Sequence, residues 1–238
     1  MLPWNGTSLG EIEADLADWP DGPRLSRGIT VAAGKMWPAC LRDEGVLLKV
    51  SPGATAQVVA DELKPHFFLA KMGTHLATYR RAPAVVLRYW PNGERLQDRK
   101  DLWDHPPVKR ALLTILVYEY CVRTGDRTLG NVLVVPKTMT GDELLLPIDE
   151  MSLFSEKPFR VKFTASMRKR LAIAWAGDRS WLRDHCTRVV DSVRAPGFGL
   201  RLGEITAGNP QARWRELTTR ATEVHATLPR MLEFPDSH

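Results

Sequence analysis

The stretch from Val108 to Val122 constrains the fold more than any other. Its apolar residues Ala111, Leu112, Ile115, Leu116 and Tyr118 fall at helical spacing but nearly surround the axis, where a surface helix would show a single stripe. A helix of that kind is covered on several sides, so other elements must enclose it. Asp104 is the expected N-cap, Pro106 or Pro107 suits the first turn, and Gly125 ends the helix. The 238 residues allow one large or two small domains, and a chain of this size buries roughly 70% of its unfolded surface without disulfide or metal staples.

Upstream of this helix the pattern is strand-like. Residues 1–24 mix Pro, Gly, Asp and Trp and read as an irregular arm with a short acidic helical turn near Leu9 to Leu16. Ile29-Thr30-Val31, Met36 to Leu41 and Val46 to Val50 form three short strands, separated by turns at Ala33-Gly34-Lys35 and Arg42-Asp43-Glu44-Gly45. A helix follows from Thr55 to Ala70, kinked or divided at Pro65, which lacks an N–H and clashes with the preceding turn. Ala84 to Tyr89 reads as a buried strand, broken by Trp90-Pro91-Asn92-Gly93. Beyond the enclosed helix, Asn131 to Val135 and Glu143 to Ile148 flank Thr140-Gly141-Asp142 as a hairpin. Three helices complete the chain, over about 164–176, 179–194 and 210–227, the last capped by Asn209. This order is that of an α+β fold with a sheet-rich first part and a helical second part, hinged at Tyr89 to Gly93.

Composition narrows the class. A hydrophobic content of 44% excludes wholesale disorder. No apolar run approaches the roughly 18 residues that span a bilayer, and Met1 to Asn5 lacks a signal-peptide layout, so a soluble, cytoplasmic protein is expected. Cys40, Cys121 and Cys186 are far apart and outside any C-x-x-C pair, which makes them buried apolar residues before ligands. The net charge of +5 is uneven: residues 160–238 carry fourteen Lys/Arg against eight Asp/Glu, centred on Arg168-Lys169-Arg170. That excess reads either as a solvated helix face or as attraction to an anionic partner at the C-terminal helices, whether phosphate, lipid headgroup or nucleic acid.

The chemistry concentrates between Gly125 and Asp149. Asp126 and Asn131 lie five residues apart in a glycine-bounded loop between the enclosed helix and a strand, and the hairpin beyond ends in Pro147-Ile148-Asp149. Asp126 alone could initiate a turn and Asp149 alone could cap the next segment. Together the spacing favours convergence: Asn131 and Asp149 supply hard oxygens suited to Mg²⁺, and Asp126 can face a substrate hydroxyl.

Asp126-Arg127-x-x-x-Asn131 with Ile148-Asp149 resembles the catalytic and metal-binding loops of the atypical kinases, including the phosphatidylinositol 3-/4-kinase group and the HipA-like toxin kinases. Ile148-Asp149-x-x-x-x-Phe154 is especially similar to the small type II phosphatidylinositol 4-kinase-like members. The resemblance covers roughly residues 26–160. It implies a bilobal protein-kinase-like fold after the arm, with a small sheet-rich N-lobe (25–90) and a helical C-lobe (91–238), using ATP and Mg²⁺. Asp126 would orient or deprotonate the acceptor hydroxyl, with Arg127 beside it in the catalytic loop, and Asn131 and Asp149 would hold the metal. Lys49, mid-strand, would meet the ATP α/β-phosphates, its ammonium held by Glu62 or alternatively Asp61. Leu87 to Trp90, including Arg88 and Tyr89, would form the hinge beside adenine.

The match has departures. Thr128 stands where a His is expected, and Glu150-Met151 replace Phe-Gly or Asn-Gly, adding negative charge beside the cation. Gly28 to Lys35 is not a Walker A loop, although Ala33-Gly34-Lys35 could cover phosphates as a β-turn. Blander readings stand beside the sharp ones. Lys49 could snorkel from an edge strand, Glu62 could be an ordinary helix-surface residue, and Arg127 reads better as a tether for the loop than as a substrate contact. Trp103, Trp175, Trp181 and Trp214 read as core, while Trp90 could border the adenine slot. The expected function is transfer of the ATP γ-phosphoryl group to a hydroxyl, on a protein before a small molecule. The alternatives are an impaired pseudokinase or nucleotide-binding regulator, and a basic nucleic-acid-binding domain, for which no recognisable motif is present.

Overall fold

Contiguous apolar runs, Val46-Leu47-Leu48 and Ala84-Val85-Val86-Leu87, build a sheet, and the computed structural model shows its register. The structure describes residues 16–18, 29–31, 34–41, 44–79, 81–90, 92–124, 126–136, 143–150, 152–156, 159–206 and 209–233. Two compact units divide the chain: Met1–Asp61 with Lys71–Pro91, and Glu62–Ala70 with Asn92–His238. One division falls after Pro91, inside the expected hinge. Residues 62–70, expected in the first lobe, group with the second unit.

In the first unit the chain runs through β1 (Leu16–Asp18), β2 (Ile29–Val31), β3 (Gly34–Leu41), β4 (Glu44–Val50), helix α1 (Ala54–Leu63), β5 (Thr74–Tyr79) and β6 (Ala82–Arg88). The antiparallel sheet has the order β1-β3-β4-β6-β5, with β2 also paired to β3. Leu16, expected to close a helical turn, opens β1 opposite Leu41; the rest of that turn lies outside the described residues. Paired residues share a face, so Leu47 and Lys49 on β4 point the same way as their partners Leu87 and Val85. Ala54, Val85 and Leu87 form a buried cluster on that face, with Leu47, Val58 and Leu76 packed against it. Ser51 starts α1, its hydroxyl accepting from the Gly53 amide at 3.1 Å. The helix expected over Thr55 to Ala70 is divided at Pro65: α1 stops at Leu63, and residues Lys64–Phe67 form a 3-10 turn, closed by Phe68 in the left-handed region at φ 60°.

The second unit is built around α2 (Pro106–Val122), in which Leu112 to Glu119 are all buried. His105, not Asp104, occupies the N-cap position; Asp104 is ion-paired with Arg170. The helix ends on Arg123 in the left-handed region at φ 51°, and Gly125 lies outside the described residues. The strands of this unit are β7 (Glu94–Arg95), β8 (Asp126–Arg127), β9 (Val132–Pro136), β10 (Glu143–Pro147) and β11 (Arg160–Val161), of which β10 packs against α2. The predicted β9–β10 hairpin is present, extended by β7, and β8 pairs in parallel with β11.

Four helices follow: α3 (Ala165–Gly177), α4 (Arg179–Arg194), α5 (Pro196–Ile205) and α6 (Pro210–Glu233). Thr164 caps α3, accepting from the Met167 amide at 3.3 Å, and Asn209 caps α6 through the Ala212 amide at 3.1 Å. Helix α6 runs past Pro229, with Leu228 buried just before it and Met231 and Leu232 buried after it, and it packs against α2, α3, α4 and α5. Cys121 and Cys186 are buried free thiols, as expected; burial pushes Cys186 up to about 11. Among the described residues, no helix is long and apolar enough to cross a membrane.

Candidate active site

Two segments of the second unit meet at the mouth of the β9–β10 hairpin. Thr128 is extended, and residues Leu129–Asn131 make one 3-10 turn before β9. The register pairs Val132 with Pro147, and one step further the Ile148 amide donates to the Asn131 carbonyl at 3.0 Å. Asn131 and Asp149 are therefore near neighbours across the open end of a ladder, although seventeen residues separate them in sequence. Both side chains are half-buried. Asp149 adopts φ 67°, a left-handed conformation that costs a non-glycine residue on the order of 1 kcal/mol and is often found where function requires it.

Arg127 holds this junction together. Its Nη1 donates to the Asn131 carbonyl and, at 2.9 Å, to the Ile148 carbonyl. Its Nη2 donates to Glu119, which projects from the buried part of α2. With 2% of its side chain exposed, Arg127 ties the two loops together. The backbone of β8 is fixed by β11, with the Lys162 amide donating to the Arg127 carbonyl at 2.9 Å. The side chain of Asp126 lies outside the described residues.

A second cation completes the arrangement. Lys64, in the 3-10 turn after α1, donates to the Pro147 carbonyl at 2.9 Å and pairs with Glu150 at 3.3 Å. Glu150 also lies 3.7 Å from Arg127. Lys64, Glu119, Arg127 and Glu150 thus form a buried cluster of two cations and two carboxylates. The Glu150 carboxylate, which follows Asp149 directly in the chain, is 1% exposed and meets two cations. Burial pushes Glu119 up to about 7, with the Arg127 charge pulling the other way.

The donor set fits a divalent ion of the Mg²⁺ type. Asn131 offers an amide oxygen and Asp149 a carboxylate, hard donors on adjacent strand ends whose backbone is already fixed. Among the described residues, no three His, Cys, Asp or Glu side chains gather as a metal-binding group, so a bound ion would draw its remaining ligands from nucleotide or water.

In the first unit, Lys49 is 3% exposed on the face shared with Val85, which argues against an exposed edge position. Asp61 is buried, in helical phase with Ala54 and Val58. Its carboxylate accepts from the Met72, Gly73 and Thr74 amides at 2.6, 2.9 and 3.1 Å, fixing the entry to β5. Glu62, expected to hold the Lys49 ammonium, forms an ion pair with Arg201 of α5 at 2.7 Å. At the expected hinge, the Arg88 amide donates to the Gly73 carbonyl at 2.9 Å, so it is committed within the unit. Trp90 donates to the Met72 carbonyl at 3.2 Å, and the Arg88 guanidinium lies 4.5 Å above its ring. Tyr89, between them, is half-buried.

Sequence reasoning missed Glu119 and Lys64. A lone carboxylate within an apolar helical run was the available signal for Glu119; Lys64 carried none, because its partner is 86 residues away.

No family model matches the sequence, and no curated protein is detectably similar to it in sequence. In fold the chain is similar to the Helicobacter pylori proinflammatory kinase CtkA, with a TM-score of 0.56 and 12% identity over 89% of this chain and 93% of that one. The HipA protein of the Shewanella oneidensis MR-1 toxin–antitoxin system gives 0.48 at 10% identity, over 92% of this chain and 67% of that one. The PknI kinase domain of Mycobacterium tuberculosis gives 0.35 at 12% identity, over 80% and 92%. The CtkA likeness carries the fold: the chain has an α+β, kinase-like fold.

Proposed function

We propose that the protein is a kinase, transferring the γ-phosphoryl group of ATP with Mg²⁺ to a hydroxyl acceptor. The supporting observation is the junction at which Arg127 bonds the Asn131 and Ile148 carbonyls, which brings the backbones of Asn131 and Asp149 close together on a chain of kinase-like fold. In this reading Asn131 and Asp149 hold the metal, and Asp126 orients the acceptor hydroxyl and takes up its proton. Lys49 meets the α/β-phosphates, Arg88 to Trp90 border adenine, and Asp61 or Glu62 supports Lys49. The metal, when bound, neutralises charge on the phosphates being transferred. A protein acceptor is favoured over a small molecule.

An impaired nucleotide-binding regulator is the reading that Thr128 and Glu150 favour in the sequence. The burial of Glu150 between Lys64 and Arg127 removes half of that support. Nucleic-acid binding draws on the basic C-terminal third, but Arg170, Arg201 and Arg220 there are already engaged by Asp104, Glu62 and Glu216. Steady-state ATP turnover by the purified chain tests the proposal. Asp126→Ala, Asp149→Ala and Lys49→Ala should each lose at least the ~10²–10³-fold characteristic of a preorganised electrostatic contact while remaining folded. Wild-type turnover in the Asp149 variant would refute the metal assignment, and tight Mg·ATP binding without transfer would favour the regulator.

A further inference from the structure

Every residue next to Asp149 in the junction is anchored, and the anchors are charged groups buried away from solvent. The Pro147 carbonyl accepts from Lys64, the Ile148 carbonyl accepts from Arg127, and the Glu150 carboxylate pairs with both cations. Asp149 stands between these points in the left-handed region. The exposures of Lys64, Glu119, Arg127 and Glu150 are 0%, 0%, 2% and 1%. We propose that Lys64 and Glu150 are positioning residues for Asp149, forming with Arg127 and Glu119 a buried clamp that sets where the Asp149 carboxylate stands. The inference rests on the phosphotransferase reading for what that carboxylate does.

Stability alone does not account for the cluster. Replacing buried ion pairs by apolar side chains of similar volume is often neutral or stabilising, because desolvation offsets the attraction. Among the described residues, Glu119 Oε2 and Arg127 Nε also lack hydrogen-bond partners, a further cost for buried polar atoms. What charged groups supply and an apolar cluster cannot is direction. Three of the bonds end on backbone carbonyls, of Asn131, Pro147 and Ile148. Those carbonyls fix the ladder end and the peptide planes leading into Asp149. Metal-site partners beyond the ligands themselves act in this way, and their loss typically weakens metal affinity by about 10–100-fold.

The test uses the full chain with Lys64→Met, Glu150→Gln, Lys64→Arg and Asp149→Ala. Circular dichroism establishes folding, and Mn²⁺ binding is followed by electron paramagnetic resonance with a saturating non-hydrolysable ATP analogue. Hydrogen exchange of the 144–150 segment is measured without metal. The clamp requires Lys64→Met and Glu150→Gln to weaken Mn²⁺ binding about tenfold and to speed exchange at 144–150 while α6 exchanges as in the wild type. Lys64→Arg, which keeps the charge, should restore part of both. If Lys64→Met does not fold, Glu150→Gln, which keeps its shape, carries the test. Folded variants that bind Mn²⁺ and exchange like the wild type would overturn the clamp while leaving the kinase reading intact. Mn²⁺ binding absent from the wild type, or unchanged in Asp149→Ala, would overturn the reading itself and the clamp with it.

Discussion

Asp149 carries two separable properties, a carboxylate and a left-handed backbone. Asp149→Ala and Asp149→Gly both remove the carboxylate, but only glycine adopts φ 67° without strain. Both variants should lose phosphoryl transfer, and urea unfolding should find the glycine variant more stable than the alanine one by about 1 kcal/mol; equal stabilities would contradict the backbone assignment. His185 bears on pH dependence. Burial, with Arg188 nearby, lowers its pKa to about 4, and its ring stacks on Trp181 and meets the edge of Phe68. The folded protein keeps this imidazole neutral, whereas the unfolded chain takes up a proton near pH 6.5. Stability from this group is therefore complete above pH 6.5 and declines as pH falls towards 4, by on the order of 3 kcal/mol. His185→Leu should flatten that decline in denaturation measured between pH 7 and pH 4.5; parallel curves would contradict it. At this scale the sequence exposed the nearness of the Asn131 and Asp149 backbones, because the hairpin between them brings its two ends together. It hid Lys64 and Glu119, whose roles exist only once distant elements pack.

Elements were legible where one local rule dominated. Pro65 ended α1, Asn209 capped α6, and the β9–β10 hairpin followed from two apolar runs around a turn. They were hidden where tertiary packing overrode propensity. The glycines at 197, 199 and 203 argue against a helix, yet α5 forms over Pro196–Ile205. At Gly199 a Cβ would come within 2.7–2.9 Å of the Trp214 ring, and that ring is fixed by its bond to the Val193 carbonyl at 2.6 Å. Gly199 is thus a packing requirement, whereas Gly197 has nothing within 4 Å. Gly199→Ala should cost about 1–3 kcal/mol through overpacking, and Gly197→Ala should gain up to about 1 kcal/mol, both read from urea midpoints. Equal effects would sink this account of α5. The strand β7 escaped notice for a related reason: only Glu94–Arg95, it exists by pairing with β9.

For the whole molecule, fold class followed from the order of elements, strands first and helices after, and from an enclosed α2 that demanded a second layer. The basic C-terminal third was legible as a charge excess but not as a set of engaged side chains, since partners such as Glu62 and Asp104 lie elsewhere in the sequence. If that excess served nucleic acid, binding at low salt would fall steeply as salt rises; no binding to DNA or RNA at low salt is expected. The central claim is that two loops joined by Arg127 hold one divalent ion for phosphoryl transfer. It is tested most directly by incubating the protein with γ-labelled ATP and Mg²⁺ in a lysate of its source cells. The expected result is a Mg²⁺-dependent labelled acceptor that disappears with Asp149→Ala, whereas label of equal intensity from that variant, or none from the wild type, would contradict the account.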